Sequence, residues 1–184
     1  TAAPADTPPK RRDRAAAAPA AEAMRSAAEA LLAALDAGQR AKASFAFGDP
    51  ERENFRFTPQ TRRGLALKEM NEQQQGLAIG LPRAALSDRG ALKAMQIIAL
   101  ESLLGELEKR PDYRDPGKYH VSIFGTPGDA KGWGWKFEGH HLSLNYTVVG
   151  GRVAVTPQFM GANPAEVRSG PLKGRRVLGA EEDL

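Results

Sequence analysis

The chain has 184 residues, of which 41% are hydrophobic, and a net charge of +4 at pH 7 with a pI of about 9.5. That length supports one domain with a real core, and no apolar run is long enough to span a bilayer. There is no cysteine, which excludes disulfides, thiolate catalysis and cysteine-ligated metals.

Residues 1–19 are rich in Ala and Pro around a basic knot, Lys10-Arg11-Arg12-Asp13-Arg14. Such a stretch buries too little apolar surface to offset its ordering entropy, and it reads as a flexible tail ahead of a single domain over 20–184. The knot is a solvated tail or a contact for an anionic envelope surface. No nucleic-acid-binding motif accompanies it, and no nucleic-acid partner is expected. The opening Thr-Ala-Ala-Pro-Ala-Asp resembles a mature terminus after signal-peptide removal, which predicts a secreted or periplasmic protein.

In chain order, Ala20–Ala37 predicts a helix closed by Gly38. Ser44–Phe47 and Asn54–Phe57 alternate polar and aromatic residues and predict two short strands around Gly48-Asp-Pro50. Asn71 with Gln74 is a capping-box start for a helix to about Leu86, with a break near Leu81 at Pro82. Ser87 caps a long apolar helix, Asp88 to about Lys109, the expected core helix. The pattern then switches to period two: Tyr119–Phe124, Trp133–Phe137, His140–Val149 and Arg152–Phe159 read as strands. Glu138-Gly139 and Gly150-Gly151 have the length of tight hairpin turns. The fold class is therefore α+β, with N-terminal helices and a long core helix on an antiparallel meander.

Trp133 to Tyr146 holds both tryptophans and two of the three histidines. With turns at Glu138-Gly139 and Gly150-Gly151, strand parity sends Trp133, Trp135, His140, Leu142, Leu144 and Tyr146 to an apolar face. Leu144 then pairs with Pro157, Asn145 with Thr156, Ser143 with Gln158 and His141 with Met160. His141, Ser143 and Asn145 share the polar face, which His120 and Ser122 of the Tyr119–Phe124 strand can join. His140 becomes framework and His141 the reactive candidate.

Two histidines with a carboxylate are the minimal set for a catalytic metal site, here His120, His141 and Glu138 holding a divalent ion. Glu101 is a second candidate acid, since its i±3 and i±4 neighbours are apolar. It needs a partner or a raised pKa, and the Arg62-Arg63 loop and the basic C-terminal run are the arginine sources. The candidate catalytic set is His141, His120 and Glu101, with Ser143, Asn145, Arg62 and Trp135 around the substrate. A serine hydrolase is disfavoured, because Ser143 lies in no Gly-x-Ser-x-Gly elbow.

The run Trp133-Gly-Trp-Lys-Phe-Glu-Gly-His-His-Leu-Ser-Leu-Asn145, then Thr156-Pro-Gln-Phe-Met-Gly-Ala-Asn-Pro-Ala-Glu-Val167, resembles a mostly bacterial family catalogued as domain of unknown function 3500. Gln39-Arg-Ala-Lys42, Asp49-Pro-Glu-Arg52, Arg63-Gly-Leu65 and Ala99-Leu-Glu101 carry the resemblance upstream. Family members look about twice this long, so the resemblance implies an N-terminal half that contacts a further unit. It implies nothing about activity. The leading expectation is a secreted metal-dependent hydrolase or oxidoreductase acting on a small or polymeric extracellular substrate. The alternative is a non-catalytic binding module with structural histidines.

Overall fold

The computed structural model describes residues 11–184, with side chains from residue 19 onward. The expected tail lies outside the described residues up to position 10, and α1 (Arg11–Ala34) starts within its remainder. Side chains of the basic knot are likewise outside the described set. Among the described residues no helix is long and apolar enough to cross a membrane.

Ala21, Met24, Ala28 and Leu31 of α1, and Leu35 just past its end, are buried. Their alternating spacing of three and four makes one helix stripe. The helix stops before Gly38, because Asp36 caps a separate helix, α2 (Ala37–Ala43). Its side chain accepts from Gln39 N, and the Gln39 side chain accepts from Asp36 N. Gly38 thus lies in the first turn of α2 rather than closing α1. α3 (Glu72–Ala85) opens on the predicted Asn71–Gln74 capping box. It continues through Pro82, whose ring sits in the final turn, so no break forms at Leu81. α4 (Asp88–Leu107) starts at the predicted Ser87 cap and buries Ala91, Ala94, Ile97, Leu100, Glu101, Leu104 and Gly105. Leu92 and Leu107 lie off this stripe and are exposed.

The strands are β1 (Ser44–Phe45), β2 (Leu65–Ala66), β3 (His120–Phe124), β4 (Trp133–Gly139), β5 (Leu142–Val149), β6 (Arg152–Ala154) and β7 (Gln158–Met160). β3, β4 and β5 form an antiparallel centre. β1 and β2 share the outer edge of β3, the first parallel and the second antiparallel. β6 and β7 share the outer edge of β5. The chain is α+β, as the change of period predicts. Asn54–Phe57 is irregular instead of a strand. A short C-terminal helix, α5 (Gly179–Glu182), ends the chain.

Two registers differ from the expected ones. Between Thr147↔Ala154 and Leu144↔Gln158, three steps along β5 match four along its partner. The extra residue falls in the 155–157 link, so Leu144 meets Gln158 and Ser143 meets Phe159, not Pro157 and Gln158. At the other hairpin, Gly139 pairs with Leu142 and the turn is His140-His141. Because this slides the register by an even number of residues, the expected faces survive.

One face carries Val121, Ile123, Trp133, Trp135, Phe137, Leu144, Tyr146 and Val148 into the core. Trp135 stacks on Tyr146, with centroids 4.4 Å apart, and donates from Nε1 to Met24 Sδ at 3.3 Å. The other face is polar but not open to solvent. Segment 46–63 lies across it, leaving Ser122, Lys136, Glu138, Ser143 and Asn145 buried. Lys136 Nζ donates to Glu51 O (2.9 Å), Glu51 Oε1 (3.0 Å) and Asn54 O (3.0 Å). A buried ammonium persists only with such partners.

Candidate functional site

The turn joining β4 to β5 projects from the sheet toward α4. Gly139 brings it there: a Cβ at that position would lie 2.3 Å from Tyr119 Cδ1, so only glycine lets the Tyr119 ring pass. His141 adopts φ +60°, the left-handed region that turns demand and that non-glycine residues enter at a cost. Four bonds from outside the hairpin hold its backbone. Arg62 donates to Gly139 O (2.9 Å) and the Tyr119 hydroxyl to His140 O (2.5 Å). His141 N donates to Phe57 O (2.7 Å), and His141 O accepts from Gly161 N (2.8 Å).

So held, His140 points at α4 and meets Glu101. Its Nδ1 contacts Glu101 Oε1 in a buried ion-pair geometry. A carboxylate only accepts, so Nδ1 carries a proton, and in the neutral ring Nε2 holds the lone pair. Arg114 Nη1 lies 3.3 Å from Nδ1 and 3.4 Å from Nε2. A guanidinium only donates, so Arg114 is a second polar partner of the ring. Glu108 fixes that guanidinium by two bonds, from Nε at 2.8 Å and from Nη2 at 2.9 Å, and these bonds raise the Arg114 pKa. The neighbouring loop packs tightly because α4 has Gly105, where a Cβ would come within 3.2 Å of Pro111 Cα.

Glu101 and His140 form part of the wall of a cavity of about 440 Å³, in the range of small-molecule sites. Arg62, Tyr119 and His120 line it too, with Lys68, Glu69, Tyr113, Asp115 and Lys118. His120 Nδ1 lies 2.9 Å from Lys118 O. A carbonyl cannot donate, so Nδ1 again bears the proton. Burial pushes the His120 pKa down, which favours the neutral ring. Arg62 donates to Thr58 O, Gln60 O and Gly139 O, while its buried Nε has no partner. Burial also lowers the Arg62 pKa and raises that of Tyr119.

A comparison with family models matches residues 17–184 to the family described as "Protein of unknown function (DUF3500)". The chain belongs to DUF3500. No curated protein and no solved structure matches it.

In this DUF3500 chain the expected residues separate into groups. Glu101, His120 and Arg62 line one cavity, as a shared site requires. His141 does not join them. It leaves the sheet face for the turn, its ring lies edge-on to Phe159, and its buried Nδ1 has no partner. Burial lowers its pKa, with His140 adding to the effect. Ser143 and Asn145 are buried away from this cavity, where Asn145 Nδ2 bonds Ser143 Oγ (3.1 Å) and Pro157 O (2.7 Å). Trp135 is core. Glu138 is buried beside Lys136, whose Nζ lies 3.2 Å from Oε1. That is ion-pair range at a poor hydrogen-bonding angle, and both Glu138 oxygens lack a donor. Burial raises the Glu138 pKa against the pull of Lys136.

The set His120, His141 and Glu138 therefore does not converge. Among the described residues no three His, Asp or Glu side chains come together as a metal-binding group. The residues that sequence reasoning missed are His140, Tyr119 and Arg114. One signal pointed to the first: an acid on the buried stripe of α4 needs a partner, and His140 supplies it instead of an arginine.

Proposed function

We propose that DUF3500 residues around this cavity form an acid–base catalytic site, in which His140 moves a proton to or from a small polar substrate. The observation that carries the reading is the buried Glu101–His140 pair in the cavity wall. Glu101 sets the tautomer and orientation of the imidazole, leaving Nε2 as the proton acceptor. Arg114 braces the ring, and Tyr119 and Arg62 fix the turn that bears it. His120 offers a second neutral imidazole to the same space.

The test is a screen for hydrolysis and isomerisation over small polar substrates, followed by variants. His140→Ala is expected to cost about 10²–10⁴-fold in turnover, the range for losing a general base. Glu101→Gln is expected to fall in the same direction, and His141→Ala to keep most activity. Full turnover in His140→Ala would sink the proposal. The rival reading, a binding module with a structural His140, draws on the four bonds that clamp its turn. It predicts that His140→Ala lowers the melting temperature while ligand binding survives with no turnover to lose.

A further inference from the structure

The charged groups in the cavity wall already have partners. Lys68 faces Asp115 at 3.7 Å, Glu69 takes Lys42, and Glu101 takes His140. Lys118 donates to the Asp112 carbonyl and Arg62 to three carbonyls. A cationic ligand would have to take a carboxylate from its partner, and an anionic one would meet Glu69, Glu101 and Asp115 beside the three cations Arg62, Lys68 and Lys118 in the same wall. Besides the unpartnered Arg62 Nε, the wall offers imidazole acceptors. His120 and His140 both tie Nδ1–H to an oxygen, which in the neutral rings leaves Nε2 as an acceptor, free at His120 and with Arg114 Nη1 3.4 Å away at His140. Pro59, Ala66 and the Tyr113 ring supply apolar surface between the polar groups.

We propose that the cavity takes a neutral, hydroxyl-bearing ligand of monosaccharide size, whose hydroxyls donate to the imidazole Nε2 of His120 and His140. Hydroxyl hydrogens match the two lone pairs, and the carbon-bound hydrogens of such a ring match the apolar patches. Binding leaves the wall's ion pairs in place. This assignment names the substrate class for the acid–base site and rests on that reading only for His140. His120 defines the ligand independently, as the residue that recognises a hydroxyl without moving a proton.

The experiment follows the ring signals of His120 and His140 by NMR during titration of the whole protein. The probes are glucose and methyl glucoside, with glucuronate and glucose 6-phosphate as anionic counterparts and glucosamine as the cationic one. The expected result is a saturable shift of both rings by the neutral sugars, with weaker effects from the charged ones. His120→Phe keeps a ring of similar size without the acceptor and is expected to weaken binding by about 2–10-fold, the value of one neutral hydrogen bond. Preference for the anions, no shift with any sugar, or unchanged affinity in His120→Phe would overturn the ligand class. His140→Gln separates the two proposals. Sugar binding that persists while turnover is lost supports both, whereas turnover that persists refutes the acid–base role and leaves the His120 result to decide the ligand.

Discussion

Gly139→Ala tests why the β4–β5 hairpin turns where it does. Gly139 pairs with Leu142 as the last rung of the ladder, and its backbone does not need a positive φ. It is glycine for the sake of space. An added Cβ would fall 2.3, 2.5 and 2.6 Å from Cδ1, Cε1 and Cγ of Tyr119, distances that real Cβ atoms do not tolerate. Tyr119 has no room to retreat. It is 1% exposed, its ring lies against Phe137 with centroids 6.1 Å apart, and its hydroxyl holds His140 O. Forcing an extra carbon into a packed site costs about 1–3 kcal/mol. Losing the hydroxyl bond adds about 1 kcal/mol. The stiffer unfolded chain returns about 0.4–1 kcal/mol. The net expectation is a loss of about 1–3.6 kcal/mol, or a fall of roughly 2–14 °C in melting temperature for a domain of this size.

Gly150→Ala is the control, because Gly150 occupies an ordinary turn. Its φ is +54° and no heavy atom lies within 4 Å of an added Cβ. Only left-handed strain applies, about 1–2 kcal/mol. The readout is urea unfolding of both single variants and of Gly139→Ala combined with Tyr119→Leu. The smaller side chain makes room, so the double variant should lose less than the sum of its singles. Gly139→Ala within 0.5 kcal/mol of wild type on the usual surface-substitution scale, or strict additivity with Tyr119→Leu, would refute the close-approach argument.

Other changes probe the same region. Tyr119→Phe removes one backbone tether of His140 and is expected to cost about 1 kcal/mol of stability; turnover should fall further than stability, and an unchanged turnover would separate the tether from catalysis. Burial raises the Glu138 pKa, so the folded carboxyl holds its proton to higher pH than the unfolded one. That contribution is present below the ordinary carboxylate range and is lost as pH rises through the folded value. Glu138→Gln should therefore gain stability relative to wild type at pH 8 more than at pH 4, and a relative loss on raising the pH would contradict it. For His120 and His141 burial depresses the pKa, so the unfolded chain takes up protons first. Their contribution is full above about pH 6.5 and falls as pH drops through that value toward the folded ones. His120→Gln with His141→Gln should flatten the fall in urea stability between pH 7 and pH 5; an unchanged slope would exclude these two rings as its source.

Much of this fold is local in origin and was legible for that reason. The Asn71–Gln74 box, the Ser87 cap and the period-two strands each depend on residues within a few positions of one another. β1 keeps the first half of the predicted Ser44–Phe47 strand, but β2 was not legible, since a two-residue strand exists only because β3 lies beside it. Parity sorted Trp135, Phe137, Ser143 and Asn145 to their correct faces. It could not show that segment 46–63 covers the polar one, a contact exemplified by Lys136 reaching Glu51, which lies 85 positions away in the chain. The choice between His140 and His141 failed on a single turn. A glycine that looked like turn chemistry serves the Tyr119 ring, and the two histidines take the turn positions in its place.

That displacement gives the site its character. A two-residue turn at a hairpin tip is ordinarily among the freest parts of a sheet, and a left-handed His141 adds strain of about 1–2 kcal/mol. Here four bonds from Arg62, Tyr119, Phe57 and Gly161 hold it. At about 0.5–1.5 kcal/mol each, they outweigh the strain. The four donors and acceptors come from three separate parts of the chain, on loops flanking β2, β3 and β7. No one of these segments has the turn as its nearest sequence neighbour. The arrangement fixes the His140 ring against Glu101 at the expense of local backbone comfort. A hairpin needing only to close would place Gly or Asn at the left-handed position and leave its carbonyls to water. The strain and its tethers are therefore best explained by the imidazole they orient.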